Sequence, residues 1–226
     1  MKQLGVEIMN KNLVKEIENA KVISILRGIE TDVILKVANA LYNGGIKFME
    51  VTFDHKTCDF QKTTQAIEIL SKEFAGRMQI GAGTVTTVEL VHIAAKAGAK
   101  FIISPDCNEE VIRETKKLGM VSIPGAFTAT EILKAHYAGA DFVKIFPAGA
   151  VNTDYIKALR GPIPQVKLMA VGGIDASNAA AYIKAGCSGV GVGGKLANRK
   201  FIEEGRFELL TQAAEELIAA IEGETV

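Results

Sequence analysis

Two side chains in this sequence carry chemistry that needs a partner. Lys144 lies in Asp141-Phe-Val-Lys-Ile-Phe-Pro147, a lysine among bulky apolar residues in what reads as a strand, and Glu50 lies in the equally apolar Phe48-Met-Glu-Val-Thr-Phe53. Apolar walls disfavour an ammonium, lower its pKa and leave an amine able to attack a carbonyl. The same walls raise the pKa of a buried carboxyl toward the range useful for proton transfer. Each residue also has a plainer reading. Lys144 fits a snorkelling lysine whose stem packs while its head reaches water, and Glu50 fits one half of a structural ion pair with it.

Other candidate groups stand at the ends of apolar runs. Val22-Ile-Ser-Ile-Leu26 is followed by Arg27-Gly28. A guanidinium there either holds a carboxylate or phosphate through paired hydrogen bonds or is an ordinary loop arginine. In Gly81-Ala-Gly-Thr84 the small residues let a ligand approach the backbone and Thr84 offers a hydroxyl and an amide, although a tight turn has the same composition. Ile103-Ser-Pro105 and Ile123-Pro-Gly125 read as rigid rims. The glycines of Ala170-Val171-Gly172-Gly173 and Val190-Gly-Val-Gly193-Gly194 expose amides that can cradle a phosphate, and tight turns ask for them too. His55, His92 and His136 form no metal-ligand pattern, so no metal is expected. Cys58, Cys107 and Cys187 are odd in number and widely spaced, which predicts small buried fillers in a reducing cytosol.

The elements that must position these groups repeat as helix, glycine, strand. Glycine closes a helical pattern before an apolar run at Gly44-Gly45, Gly98, Gly119, Gly139 and Gly186, as suits the left-handed position past a helix end. Strands are expected near 22–27, 46–53, 78–83, 101–104, 121–124, 141–146, 167–172 and 188–192. Helices are expected near 3–19, 31–43, 60–75, 86–97, 108–118, 128–138, 153–160, 176–185 and 202–222, with start signals at Thr31-Asp32, Thr86, Asn108, Thr128 and Asn152. Strands alternating with helices of this length pair in parallel, and eight units predict a (β/α)8 TIM barrel with an additional N-terminal helix, as one domain over residues 1–226. A doubly wound sheet is the alternative, but no Gly-x-Gly-x-x-Gly opens a helix after the first strand. Strand parity sets Phe48, Glu50 and Thr52 on one face, and Phe142, Lys144 and Phe146 on one face of the sixth strand. In a barrel Lys144 then points inward with Glu50, near the end where barrel chemistry collects.

Lysines plus arginines equal aspartates plus glutamates at 26 each, so charge suggests neither a nucleic-acid nor a membrane partner. Residues 1–20 are charged and amphipathic, without a signal-peptide core, and a cytoplasmic protein with a small-molecule partner is expected. The residues alone leave open a phosphate-binding barrel isomerase or synthase, or a barrel that binds a sugar acid without turning it over.

Taken together, Ile25-Leu-Arg27, Gly44-Gly45, Met49-Glu-Val-Thr52, Gly81-Ala-Gly-Thr-Val85, Ile103-Ser-Pro105, Ile123-Pro-Gly125, Val143-Lys-Ile-Phe-Pro147, Val171-Gly-Gly173 and Gly191-Val-Gly193 resemble the ordered motifs of the class I, pyruvate-type aldolases that cleave 2-keto-3-deoxy-6-phosphogluconate and 4-hydroxy-2-oxoglutarate. The resemblance covers almost the whole chain. It implies Lys144 as the imine-forming lysine and Glu50 as the general acid/base. The substrate-binding positions it implies are Arg27, Thr84, Pro105, Phe146, Val171, Gly172, Gly173, Gly193, Gly194 and Lys195. It further implies a keto-acid substrate yielding pyruvate and an aldehyde, a homotrimer, and neither metal nor organic cofactor. Three positions depart from the family pattern. Asp54 stands where Arg or Thr is usual and would repel a carboxylate. Val171 replaces a threonine and resembles the branch acting on the galactonate-derived epimer. Gly194, followed by Lys195, replaces a phosphate-binding serine, which leaves backbone amides and Lys195 for that group.

Overall fold

The computed structural model describes residues 2–223, with side chains from residue 10 onward. Nine strands form one parallel sheet: β1 (Val22–Leu26), β2 (Phe48–Thr52), β3 (Gln79–Gly83), β4 (Phe101–Ile103), β5 (Val121–Ile123), β6 (Gly125–Ala126), β7 (Val143–Ile145), β8 (Leu168–Val171) and β9 (Gly189–Val192). Their order is β5-β4-β3-β2-β1-β9-β8-β7-β6. The ninth strand arises because the expected fifth stave is divided at Pro124, which has no N–H to give to a ladder. Its carbonyl still accepts from the Lys144 amide at 2.8 Å, and the Ser122 carbonyl accepts from Phe142 at 3.3 Å. The chain itself thus joins β5 to β6 and closes an eight-staved (β/α)8 barrel.

Among the described residues ten α-helices alternate with the staves: α1 (Lys2–Ala20), α2 (Ile34–Asn43), α3 (Gln61–Glu73), α4 (Val88–Lys96), α5 (Glu109–Lys117), α6 (Ala129–Ala138), α7 (Thr153–Arg160), α8 (Ala179–Lys184), α9 (Arg199–Glu203) and α10 (Glu208–Glu222). Side chains of Asn108, Thr128 and Asn152 cap α5, α6 and α7 as expected. Thr87 rather than Thr86 caps α4. Thr31-Asp32 caps nothing. The chain turns through these residues, with the Val33 amide donating to Glu30 at 3.3 Å, and α2 starts uncapped where Ile34 is fully buried. The expected last helix is two helices, interrupted at Gly205, whose φ of 70° does not continue a helix. No helix among the described residues is long and apolar enough to cross a membrane.

Strand parity divides the core. Inward residues Ile23, Phe48, Phe101, Ile103, Val121, Phe142 and Met169 fill the barrel, while Met49, Val51, Val143, Ile145 and Val190 face outward onto the helices. At the amino ends of the staves α1 acts as a floor. Ile17 enters the barrel core at 1% exposure, Leu13 and Val14 pack beside it, Asn10 Nδ2 donates to the Met120 carbonyl at 3.0 Å, and Lys167 pairs with Glu18 at 2.9 Å. The opposite, carboxyl ends carry the polar candidates. Of the cysteines only Cys187 is a buried filler. Cys107 is partly exposed and Cys58 lies on the surface of the β2–α3 loop.

Candidate active site

Glu50 enters from the pleat of β2, pointing inward between Phe48 and Thr52, and Lys144 enters from β7 above Phe142. Their exposures are 2% and 6%, so Lys144 does not snorkel to bulk water. Its Nζ lies over the Phe146 ring, 4.5 Å from the centroid. Burial holds the Lys144 amine below its ordinary pKa, against the opposing pull of Glu50, and the Arg27 charge lowers it further. Burial likewise lifts the Glu50 carboxyl to about 7, and the positive charges of Lys144 and Arg27 bring it only part of the way back. Desolvation therefore dominates for both and favours their neutral forms. Among the described residues no ion pair joins them, and the buried Glu50 Oε2 has no hydrogen-bond partner. A structural ion pair would have consumed both groups. Here no such pair ties up the amine, and the carboxyl Oε2 has no partner among the described residues.

The other candidates ring this pair. Arg27 follows β1, is exposed, and has no hydrogen bond or ion pair among the described residues, while its charge reaches both Lys144 and Glu50. Thr84 follows β3 with φ 58°, an unusual backbone for a threonine, and its carbonyl lies 2.8 Å from His55 Nε2. Pro105 is half-buried, and its carbonyl packs so closely on Gly125 that no Cβ fits there. Phe146, 39% exposed, leans over Gly172, where a Cβ would stand 3.2 Å from the ring. Val171 points inward at the end of β8. Gly172 and Gly173 follow in left-handed conformations, φ 89° and 78°, and the Gly172 carbonyl accepts from the Gly149 amide at 2.7 Å. Gly193 is half-buried beside Ile25, and Gly194 is exposed with nothing near its Cα face. Lys195 stands apart. It is an exposed side chain whose ammonium is 3.6 Å from Asp175.

Asp54 is occupied in its own loop. Its carboxylate accepts from the Lys56 amide at 2.9 Å and the Thr57 hydroxyl at 3.3 Å, and these bonds hold its pKa below the usual range. His55, one of the three histidines that form no metal-ligand pattern in the sequence, has a structural role and ties the loop after β2 to the Thr84 carbonyl. Its position just past the carboxyl end of the Glu50 strand is the signal for that contact. The larger clefts on the outer wall lie elsewhere. One of about 480 Å³, lined by Ser71, Lys72 and Lys100, opens at the amino ends of β3 and β4.

A parallel barrel that buries a lysine whose pKa is lowered and a glutamate whose pKa is raised has the equipment of an amine-dependent lyase: an amine able to attack a carbonyl and a carboxyl able to carry a proton. The aldolase family model for KDPG and KHG aldolase matches residues 13–213. The 2-dehydro-3-deoxy-6-phosphogalactonate aldolase of Escherichia coli (strain K12) is 38% identical over 175 residues, covering 77% of this chain and 83% of that protein. Among solved structures, a KDPG aldolase from Legionella pneumophila, with pyruvate captured as a covalent carbinolamine, is 31% identical with a TM-score of 0.79, covering 87% of this chain and 93% of that one. A porous cage designed by fusing symmetric oligomeric domains is 34% identical with a TM-score of 0.82, covering 91% of this chain and 73% of that one. The chain belongs to the KDPG and KHG aldolase family, and it is a class I aldolase.

Proposed function

We propose that this aldolase cleaves a 2-keto-3-deoxy-6-phospho sugar acid, of the galactonate type before the gluconate type, to pyruvate and glyceraldehyde 3-phosphate. The observation that carries this reading is the buried amine of Lys144 beside a carboxyl with one open oxygen. The free amine of Lys144 attacks the C2 carbonyl, and the carbinolamine loses water to give a protonated imine. The Glu50 carboxylate takes the proton of the C4 hydroxyl. The C3–C4 bonding pair moves into the imine, which releases the aldehyde and leaves an enamine. Glu50, now carrying the proton, returns it to C3, and water hydrolyses the pyruvyl imine to free pyruvate and the amine. A carboxyl with pKa about 7 suits both halves of this exchange at neutral pH.

Arg27, unpaired and close enough for its charge to be felt by both groups, holds the carboxylate of the keto acid, and Thr84 orients it with Pro105 on the rim. Phe146 and Val171 flank the carbon chain. The amides at Gly172, Gly173, Gly193 and Gly194 receive the far phosphate, with Lys195 released from Asp175 to join them. The galactonate preference rests on Val171 and on the 38% identity to the Escherichia coli enzyme of that name. The protein works in the cytoplasm as one barrel domain per chain, assembled as a homotrimer. The oligomeric domains of the cage support assembly, and light scattering checks it against three times the 24.1 kDa chain mass.

Borohydride reduction with pyruvate, followed by peptide mass spectrometry, tests the chemistry. The adduct is expected on Lys144, and Lys144→Ala is expected to lose both adduct and cleavage. An adduct on another lysine, or full cleavage by Lys144→Ala, would remove the mechanism. Pyruvate release from phosphorylated and plain 2-keto-3-deoxy acids of both C4 configurations tests the substrate.

A further inference from the structure

We infer that Gly83 is a positioning residue for the aldol reaction: the space left by its missing side chain is the seat of the Glu50 carboxyl. This rests on the reading of Glu50 as the proton carrier. β2 and β3 are neighbours, with Glu50 opposite Gly81 and Thr52 opposite Gly83, so Glu50 and Gly83 face the same barrel interior one pleat apart. A Cβ built on Gly83 would overlap Glu50 Oε1, lie 2.7 Å from its Cδ and meet Thr52 Cγ2 at 3.0 Å. The carboxyl therefore occupies the volume that any side chain at 83 would fill.

Backbone conformation does not explain this glycine. Gly83 is absent from the positive-φ positions, so its φ is one that L residues adopt, and what an added Cβ would displace is the Glu50 carboxyl. Nor is the seat free to relax. The Gly83 carbonyl accepts from the Phe53 amide at 2.9 Å, which pins β3 to β2 at this level. The Thr52 hydroxyl donates to the Leu26 carbonyl at 3.2 Å, which fixes the side chain walling the seat. With Oε1 lodged there, Oε2 is buried and has no partner among the described residues. Gly81 offers the contrast. The three atoms nearest a Cβ on it all belong to the Phe101 ring, a matter of core packing.

The experiment compares two readouts in Gly83→Ala. The yield of borohydride-trapped pyruvate after equilibration reports the imine, whereas exchange of the pyruvate methyl protons for deuterium reports proton transfer at C3. Trapping is expected to stay within about twofold of the parent while exchange and aldol cleavage fall about 100-fold, the size expected for a misplacement of about 1 Å. The pH midpoint of exchange is expected to move, which loss of packing alone would not produce. Exchange within twofold of the parent, or a parallel loss of trapping and exchange, would overturn the assignment. If Gly83→Ala does not fold, the double variant Gly83→Ala/Glu50→Ala decides. It is expected to be as stable as Glu50→Ala alone, and a double variant that also fails to fold overturns the seat. Glu50→Gln separates the two readings, because full exchange in that variant would remove Glu50 from the mechanism whatever Gly83 does.

Discussion

At the scale of single residues, burial does the chemistry that sequence identity only permits. Glu50 begins from an ordinary carboxylate and is lifted to about 7, so it is protonated below that value and ionised above it. The proposed cleavage needs the carboxylate, and kcat/KM is therefore expected to rise through a midpoint near pH 7, measured as pyruvate release between pH 5 and 9. The midpoint belongs to the Glu50–Lys144 pair rather than to one group, because each charge shifts the other. Glu50→Gln is expected to abolish that limb and lower kcat by roughly 10²- to 10⁴-fold, with the Lys144 adduct retained. Gly194 supports a second prediction. Its backbone is not left-handed and nothing lies within 4 Å of a Cβ there, so Gly194→Ser is expected to fold normally. A hydroxyl donated to a phosphate contributes about 1.5–3 kcal/mol, so KM for a phosphorylated substrate should fall at least tenfold, with the plain substrate unaffected.

At the scale of elements, local signals are legible where chemistry is local. Thr128 caps α6 and Glu131 reaches back to the Phe127 and Thr128 amides at 2.9 and 2.8 Å, a capping box visible as Thr-x-x-Glu. Thr128→Ala is expected to lower stability by about 1 kcal/mol, read in thermal melts as a drop of about 2–4 °C, with the pyruvate adduct unchanged. The alternation that sets Glu50 and Lys144 inward is legible for the same reason, since it follows from the pleat. Thr31-Asp32 looks like an equally good cap and is not one, because burial of Ile34 decides where α2 begins. The break at Pro124 needs the neighbouring stave to be understood, since only there does the Lys144 amide find the proline carbonyl. Gly83 is the extreme case. In sequence it belongs to a turn-like Gly-Ala-Gly, and its reason lies on another strand.

At the scale of the whole molecule, the two ends of the barrel divide the labour. Lys144 and Glu50 stand mid-stave, with Arg27 and Thr84 just past the carboxyl ends of theirs, while α1 closes the amino ends with Ile17, Leu13 and Val14. Ile17 fills the barrel core from below, in one apolar cluster with Ile23, Phe48 and Met169. Ile17→Ala is expected to cost about 2–5 kcal/mol through lost burial and the cavity left behind. In a chain of this size each kcal/mol lowers Tm by about 2–4 °C. Pyruvate trapping at 25 °C should be unchanged, since the staves that carry Lys144 and Glu50 are fixed above the cavity by their own ladders, Glu50 opposite Ile25 and Gly81, Lys144 opposite Gly125 and Met169. Melts and trapping on the same preparation check both halves. A fall in trapping that tracks the fall in Tm would mean that the floor sets the geometry of the mouth, and that packing at one end of the barrel is transmitted through the staves to the other.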